Sequence, residues 1–223
     1  MGRIIIVDVG TGNLRSVRQA VLHADPECGA QISDSPDRID SADRLILPGQ
    51  GAIGSWMDRL QDRPFADALE RSIRSKPILG ICVGMQAMYT RSTENEGTEG
   101  LSIVAGEVRR FEEMTTGGER LKVPHMGWNR VRQRKAHPLW QGIDDHAWFY
   151  LVHSYYAPLG KYTTGSCEYG KEFTAAVAWR NIFAVQFHPE KSQHAGLKMY
   201  RNFLQWQPQK YIVDVAQPQP ILE

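Results

Sequence analysis

Long apolar runs are missing from this chain: the longest, such as Ile4–Val7 and Trp148–Val152, are far too short to span a bilayer. A charge of one sign is missing too. Lys and Arg (26) nearly balance Asp and Glu (25), for a formal net charge of +1, so nothing electrostatic points to nucleic acid or an anionic membrane as a partner. Cysteine is scarce. Cys28, Cys82 and Cys167 are an odd, widely separated set that fits neither a disulfide framework nor metal-ligand spacing. The expectation is a reduced cytoplasmic protein with no metal, in which two of the three cysteines are core filler. The N-terminus enters a strand almost at once, without the apolar segment of a signal peptide. Ile6 stands where a myristoylation motif on Gly2 wants Ser or Thr.

What is present is ordinary globular composition: 223 residues, 42% apolar and 23% charged, enough for one α/β domain with an ample core. Arg3–Val9 reads as a continuous apolar strand, and Leu14, Val17, Val21 and Ala24 then recur at helical spacing. Arg44–Leu47 is a second apolar run, followed by Pro48-Gly-Gln-Gly51 and a helix carrying Ile53, Trp56, Met57 and Leu60. Phe65, Leu69 and Ile73 mark a further helix before a strand at Pro77–Ile81. Apolar strands alternating with amphipathic helices predict an open, mostly parallel sheet of flavodoxin-like type with helices on both faces. Sites in such sheets gather at the carboxyl ends of strands, so the loops at Gly10–Asn13, Pro48–Gly51 and Gly80–Gly84 are expected to share one edge. After Gly100 the texture turns to short strands, an antiparallel strand-rich second half: Ile103–Phe111, Trp128–Arg132, Ala147–Tyr155, Ala175–Trp179 and Ile182–Phe187. A last helix spans roughly Ala195–Trp206. The tail from Gln207 to Glu223, with repeated prolines and no helical period, reads as an appended segment, disordered or draped on the surface.

Lys76-Pro-Ile-Leu-Gly-Ile-Cys82-Val-Gly84-Met-Gln86 combines a buried strand, a glycine-flanked turn and a helix start. A reactive residue at such a turn sits on a sharp exposed elbow with small neighbours, and the following helix sets its partial positive N-terminus beside the sulfur. Far along the chain comes Phe187-His188-Pro189-Glu190, a base and a carboxylate in one short segment. Nucleophile, base and orienter are the parts of an acyl-transfer enzyme. Cys82 alone reads more often as a buried structural residue, and the elbow brings the catalytic reading level with it; turn chemistry is the lesser reading of His188-Pro-Glu190 alone, and together the two segments favour the triad. Pro48-Gly-Gln-Gly51 is either a plain turn or a strand exit that aims a backbone N–H at an oxyanion, with the N–H of Val83 as second donor. Asp8-Val-Gly-Thr-Gly12-Asn13 has a rival reading as a phosphate-cradling loop, but it lacks the Lys-Ser/Thr ending of a Walker A motif and the chain is short for a two-domain kinase. In the aromatic run Trp148–Tyr156, His153 reads as a core histidine at a strand end that switches to polar groups.

With Pro48-Gly-Gln-Gly51, Gly80-Ile-Cys-Val-Gly-Met-Gln86 and Phe187-His-Pro-Glu190 in this order, the chain resembles class I, triad-type glutamine amidotransferases. Asp8-Val-Gly-Thr-Gly-Asn-Leu-Arg-Ser16, Pro124-His-Met-Gly-Trp-Asn129, Val152-His-Ser-Tyr-Tyr156 and His188-Pro-Glu-Lys-Ser192 narrow the likeness to the glutaminase subunits of imidazole glycerol phosphate synthase. The resemblance covers roughly residues 3–206 and implies an amidotransferase domain over 1–206, with 207–223 as a tail outside the family pattern. It implies the triad Cys82, His188 and Glu190; an oxyanion hole from Gly49, Gln50, Gly51 and Val83; glutamine-binding positions at Gln86, Glu94, Ser154 and Tyr155; and partner-facing positions at Asn13, Met126, Trp128 and Lys191. Two positions depart from the family pattern. Gln50 replaces a small apolar residue, and Thr93-Glu94-Asn95 stands where paired acids are usual.

The resemblance further implies no cofactor, L-glutamine as substrate, and a separate (β/α)₈-barrel cyclase as heterodimeric partner that receives the ammonia. The same glutaminase serving another acceptor synthase stays open, as do a cysteine enzyme of similar fold that is not an amidotransferase, and a non-catalytic regulatory subunit.

Overall fold

The computed structural model describes residues 2–115, 117–118 and 120–208; the tail expected over 207–223 lies outside them apart from its first two residues. The elements run β1 (Ile4–Val7), α1 (Leu14–Ala24), β2 (Gln31–Ser33), α2 (Pro36–Asp40), β3 (Arg44–Gly49), α3 (Ile53–Asp58), α4 (Arg63–Ser75), β4 (Ile78–Cys82) and α5 (Val83–Gln86). Then follow β5 (Tyr89–Ser92), β6 (Thr98–Glu99), β7 (Val104–Arg110), β8 (His125–Gln133), β9 (Ala147–His153), β10 (Tyr155–Tyr156), β11 (Thr163–Tyr169), β12 (Lys171–Trp179), β13 (Ile182–Val185) and α6 (Gln193–Gln205).

Among the described residues the main sheet has nine strands in the order β2-β1-β3-β4-β13-β12-β11-β8-β9. The first five are mutually parallel, from β1–β2 through β4–β13. This 2-1-3-4-5 strand order is the flavodoxin-like arrangement, with its site at the carboxyl ends of the strands. Beyond β13 the pairing turns antiparallel. Every residue of β1, β4 and β13 is buried, as expected of strands covered on both faces. The cover is two helix pairs, α1 with α6 and α2 with α4. α1 starts where the Asn13 carboxamide oxygen accepts from Ser16 N at 3.3 Å. α4 starts where Asp62 accepts from Phe65 N at 3.4 Å, and its Phe65, Ala66, Leu69 and Ile73 form the buried stripe that a 3.6-residue period places on one face.

A second sheet, β10-β7-β5-β6, lies beside the first. The run expected as one strand over Ala147–Tyr155 divides at Ser154, where the chain leaves β9 for β10 and changes sheets. Strand β11 was not expected, because its Thr, Gly and Ser residues carry no apolar alternation. It is nonetheless buried through Cys167, with two of its polar side chains paired across the sheet: Thr163 Oγ1 lies 2.8 Å from Thr174 Oγ1 and Ser166 Oγ donates to Glu172 at 2.7 Å. The helix after Cys82 is a single turn of four residues, too short for a macrodipole of the expected size.

Candidate active site

Strand register assembles the site. Gly49 pairs with Cys82 and Pro48 with Ile81, so the ends of β3 and β4 deliver the glycine-rich exit and the elbow side by side. The Gly10–Asn13 loop joins them, since a Cβ on Gly12 would lie 3.7 Å from Gly49 Cα. The three loops share one edge, as their strands predicted.

The elbow is tight. A Cβ on Gly84 would sit 1.9 Å from the Leu47 carbonyl oxygen, and one on Gly80 would sit 2.9 Å from Ala184 Cβ. The Gly84 contact is with backbone and admits only glycine, whereas a Cβ on Gly80 would crowd the Met88 methyl at 2.7 Å as well as Ala184. Cys82 itself has φ 54 and ψ −111, a conformation that disfavours any residue bearing a Cβ. The strain turns its sulfur off the strand end into a cavity of 430 Å³. His188 and Lys191 line this cavity, together with Gln50, Gly51, Val83, Gln86, Glu94, Ser154 and Tyr155. As the first residue of α5, Val83 has an N–H with no partner inside its own helix, available to a ligand as an oxyanion donor.

His188 follows β13 and is 1% exposed. Its Nδ1 lies 2.7 Å from Glu190 Oε1, and both side chains are almost wholly shielded. The carboxylate accepts the Nδ1 proton, which leaves Nε2 as the nitrogen that takes and gives protons; Nε2 makes no hydrogen bond within the protein. Burial alone would depress this imidazole, but the Cys82 sulfur and then Glu190 more than offset it and push it up to about 10. The Tyr200 hydroxyl is fully buried nearby; burial first, and the Glu190 charge second, push it well above its ordinary value.

The glutamine-binding candidates are not alike. Gln86 is fixed: its Nε2 donates to the Tyr155 carbonyl at 3.1 Å and to Gln186 Oε1 at 3.0 Å. Glu94 lines the cavity, yet its Oε2 accepts from Ile53 N at 2.9 Å and so caps α3, whose N-cap residue Ala52 makes no side-chain cap bond. Gln186 escaped the sequence reading. It is fully buried and its Nε2 lies 3.7 Å from Cys82 Sγ. The only signal was a polar residue inside an apolar strand exit.

Among the partner-facing candidates, Met126 is 61% and Trp128 43% exposed, alternating outward along β8. Trp148, 50% exposed and missed, lies on the same face, paired with Arg130, whose guanidinium sits 5.0 Å from its ring centroid. Lys191 is exposed at the cavity with Nζ 5.5 Å from the Tyr150 ring centroid. Asn13 caps α1. On the inner face His125 Nδ1 lies 3.1 Å from His153 Nε2, and His153 Nδ1 lies 2.7 Å from the Tyr155 carbonyl. Burial lowers His125 to about 4 and His153 to about 3. Among the described residues no group of three or more His, Cys, Asp or Glu could hold a metal ion, and no helix is long and apolar enough to cross a membrane.

The family model for class-I glutamine amidotransferases matches residues 5–206. The chain is 46% identical over 213 residues to imidazole glycerol phosphate synthase subunit HisH of Methylococcus capsulatus, covering 93% of this chain and 98% of that one. It is 48% identical over 210 residues to the HisH subunit of Thiobacillus denitrificans, with 92% of both chains covered. Among solved structures, a putative GMP synthase subunit from Thermoplasma acidophilum superposes with a TM-score of 0.66 at 21% identity, over 92% of this chain and 93% of that one. The glutaminase domain of Trypanosoma brucei CTPS with bound acivicin superposes with a TM-score of 0.63 at 15% identity, over 92% of each. These distant structures share the fold; the two close relatives narrow the family. The chain is thus a glutamine amidotransferase of class I, and it belongs among the HisH glutaminase subunits of imidazole glycerol phosphate synthase.

Proposed function

We propose that Cys82, His188 and Glu190 hydrolyse L-glutamine and that the ammonia passes to a (β/α)₈-barrel cyclase partner. That partner converts phosphoribosyl-formimino aminoimidazole carboxamide ribonucleotide to imidazole glycerol phosphate and aminoimidazole carboxamide ribonucleotide, in the cytoplasm. In this reading residues 1–206 are the amidotransferase domain and 207–223 an appended tail. The observation that carries the chemistry is one cavity lined by the strained Cys82, by His188 with the buried Glu190 bonded behind it, and by Gln50, Gly51 and Val83.

Cys82 sulfur attacks the side-chain amide carbon of glutamine. The developing oxyanion takes backbone N–H bonds from the Gly49–Gly51 strand and Val83, each worth ~10²–10³-fold. His188 holds the thiol proton on Nε2 and gives it to the departing ammonia. Water then attacks the thioester carbon, its proton passes to His188 and on to the leaving sulfur, and glutamate is released. The charge that holds His188 high comes chiefly from the sulfur. Acylation of Cys82 removes that charge and lowers the imidazole's hold on its proton, with Glu190 still opposing burial, just when it must act as a base. Gln86, Glu94, Ser154 and Tyr155 hold the substrate. The outward face of β8 and β9, with Met126 and Trp128, receives the partner beside Asn13 and Lys191.

The test is glutamate release by the chain alone, with the cyclase, and with cyclase plus acceptor analogue. Slow hydrolysis alone and about a thousandfold acceleration in the last case are expected, which is ~4 kcal/mol of barrier. Cys82→Ala should abolish glutamine use while leaving the complex able to consume added ammonium salt at high pH. Full-rate hydrolysis by the isolated chain would instead mark a free-standing glutaminase.

A further inference from the structure

Gln186 follows β13 directly. Its backbone N–H bonds the Ala175 carbonyl at 2.9 Å, and its side chain is fully buried two residues before His188. A position that needed only volume there would hold Leu or Met, because a buried carboxamide is costly unless each polar end is matched. Both ends are matched. Oε1 accepts from Gln86 Nε2 at 3.0 Å and Nε2 faces Cys82 Sγ at 3.7 Å.

The direction of this carboxamide is fixed by a chain of donors that starts at a carbonyl. The Tyr155 carbonyl only accepts, so Gln86 turns its Nε2 toward it, at 3.1 Å, and His153 keeps its proton on Nδ1, at 2.7 Å. With Nδ1 protonated, neutral His153 has a bare Nε2 that takes the Nδ1 proton of His125. His125 Nε2 in turn accepts from Asn129 Nδ2 at 3.3 Å. The low proton affinity that burial gives both rings agrees with this neutral sequence. Gln86 has its second N–H left for Gln186 Oε1, and Gln186 can then present only N–H to the sulfur. The polarity of the group facing Cys82 is therefore set several residues away, by atoms that cannot reverse.

We propose that Gln186 is a positioning residue for the glutaminase reaction: its carboxamide N–H holds the Cys82 sulfur in the attacking rotamer, with its direction locked by Gln86 and the Tyr155 carbonyl. This rests on the assignment of Cys82 as nucleophile. It explains how a side chain at a strained elbow keeps one orientation in a cavity far wider than a sulfur atom. A sulfur hydrogen bond at this distance is weak to a thiol and stronger to a thiolate, so its hold grows when the sulfur is charged for attack.

The experiment uses the chain with its cyclase partner and compares Gln186→Met, of equal length without the carboxamide, with Gln186→Glu, which keeps the acceptor for Gln86 and loses the donor to sulfur. Both should lower kcat about 10- to 100-fold, the size of one hydrogen bond to a charged atom, with KM for glutamine changed much less. Alkylation of Cys82 by iodoacetamide, followed by peptide mass with Cys82→Ala as blank, should have its pH profile displaced to higher pH in both variants. Wild-type kcat with a wild-type alkylation profile in Gln186→Met overturns the proposal. Reduced kcat with an unmoved alkylation profile, or loss of the folded circular-dichroism spectrum in both variants, shows a structural role and overturns it equally. If the wild-type complex itself releases no glutamate, the assignment of function fails rather than the role of Gln186.

Discussion

Replacing Cys82 by glycine and by alanine separates the strain at the elbow from the chemistry it serves. Cys82 has φ 54 and ψ −111, the mirror image of extended backbone, which glycine adopts freely and alanine does not. Both variants remove the sulfur and, with Cys82 as the proposed nucleophile, should hydrolyse no glutamine; they differ only in the methyl group that keeps the strain. At an ordinary buried site, alanine to glycine costs ~0.5–1 kcal/mol in chain entropy and ~0.8 kcal/mol in lost methyl burial, about 1.3–1.8 kcal/mol together. Releasing a strained φ, ψ pair returns ~1–3 kcal/mol. The net for Cys82→Gly against Cys82→Ala then runs from ~0.8 kcal/mol worse to ~1.7 kcal/mol better, centred on a small gain. Ala68→Gly, fully buried within α4, is the unstrained control and should lose the full amount. Urea titrations read the difference as midpoints, with slopes of ~1–3 kcal/mol per molar. The glycine variant should fall below the alanine variant by less than Ala68→Gly falls below wild type, or melt at higher urea. If it falls below by as much as Ala68→Gly falls below wild type, the elbow stores no strain and the cysteine's conformation needs another explanation.

Three further outcomes follow from the same geometry. Gly84→Ala drives a Cβ to 1.9 Å from the Leu47 carbonyl oxygen, backbone against backbone, so it should cost at least ~3 kcal/mol and most of the hydrolysis, read by urea midpoint and glutamate release. In Cys82→Ala the imidazole of His188 should titrate below its wild-type value of about 10, because the sulfur that chiefly raises it is gone; NMR of the His188 ring checks this, and an unmoved value would refute the coupling. Burial lowers His125 and His137 to about 4 and His153 to about 3, while an unfolded histidine takes its proton near ~6.5. Their contribution to stability is therefore complete above about pH 6.5 and shrinks on acidification toward about pH 4, by up to ~1.4 kcal/mol per pH unit for each ring. His188 is raised instead, so its contribution is flat in that window and is lost above it. Melting temperatures from pH 7 to 5 test the sign, and a flat profile would contradict it.

The parallel half of the fold was legible because β1, β3 and β4 are bare apolar runs, a pattern that survives burial on both faces. The elbow was legible for a different reason: its glycines flank the turn, Gly84 because a Cβ would strike the Leu47 carbonyl and Gly80 because one would crowd Met88 and Ala184. Strand β11 was not, since its burial is paid for by pairs such as Thr163 with Thr174 and Ser166 with Glu172, and partners on another strand leave no trace in the local sequence. Trp148 was hidden by a symmetry of the strand. Alternation separates two faces without saying which meets solvent, and the outward face of β8–β9 is itself partly apolar. Glu94 shows the limit of reading a site by position: it lies in the cavity, but its carboxylate also serves α3, an obligation visible only once Ile53 is seen beside it. Gln186 had no pattern of its own; its meaning lies in the elbow, strands away along the sheet.

The glycine-rich exit after β3 is where the proposed coupling to a partner has to act, and its residues are not equally free. The Pro48 carbonyl accepts from Trp56 Nε1 at 3.2 Å, which ties the first peptide to a buried indole. Gly49 is clamped between Val83 and Trp56, where a Cβ would meet their atoms at 2.8 and 2.9 Å, and its pairing with Cys82 continues the sheet. Gly51 has φ +78 with nothing within 4 Å of a notional Cβ. Gly51 is thus the glycine of this exit with open space around it, and Gln50 beside it lines the cavity. A donor that must be turned toward the oxyanion can turn there without disturbing either the sheet or the elbow. A partner that biases this one peptide between two orientations by ~4 kcal/mol suffices for a thousandfold change in rate, with the proposed triad left where β4 and β13 hold it.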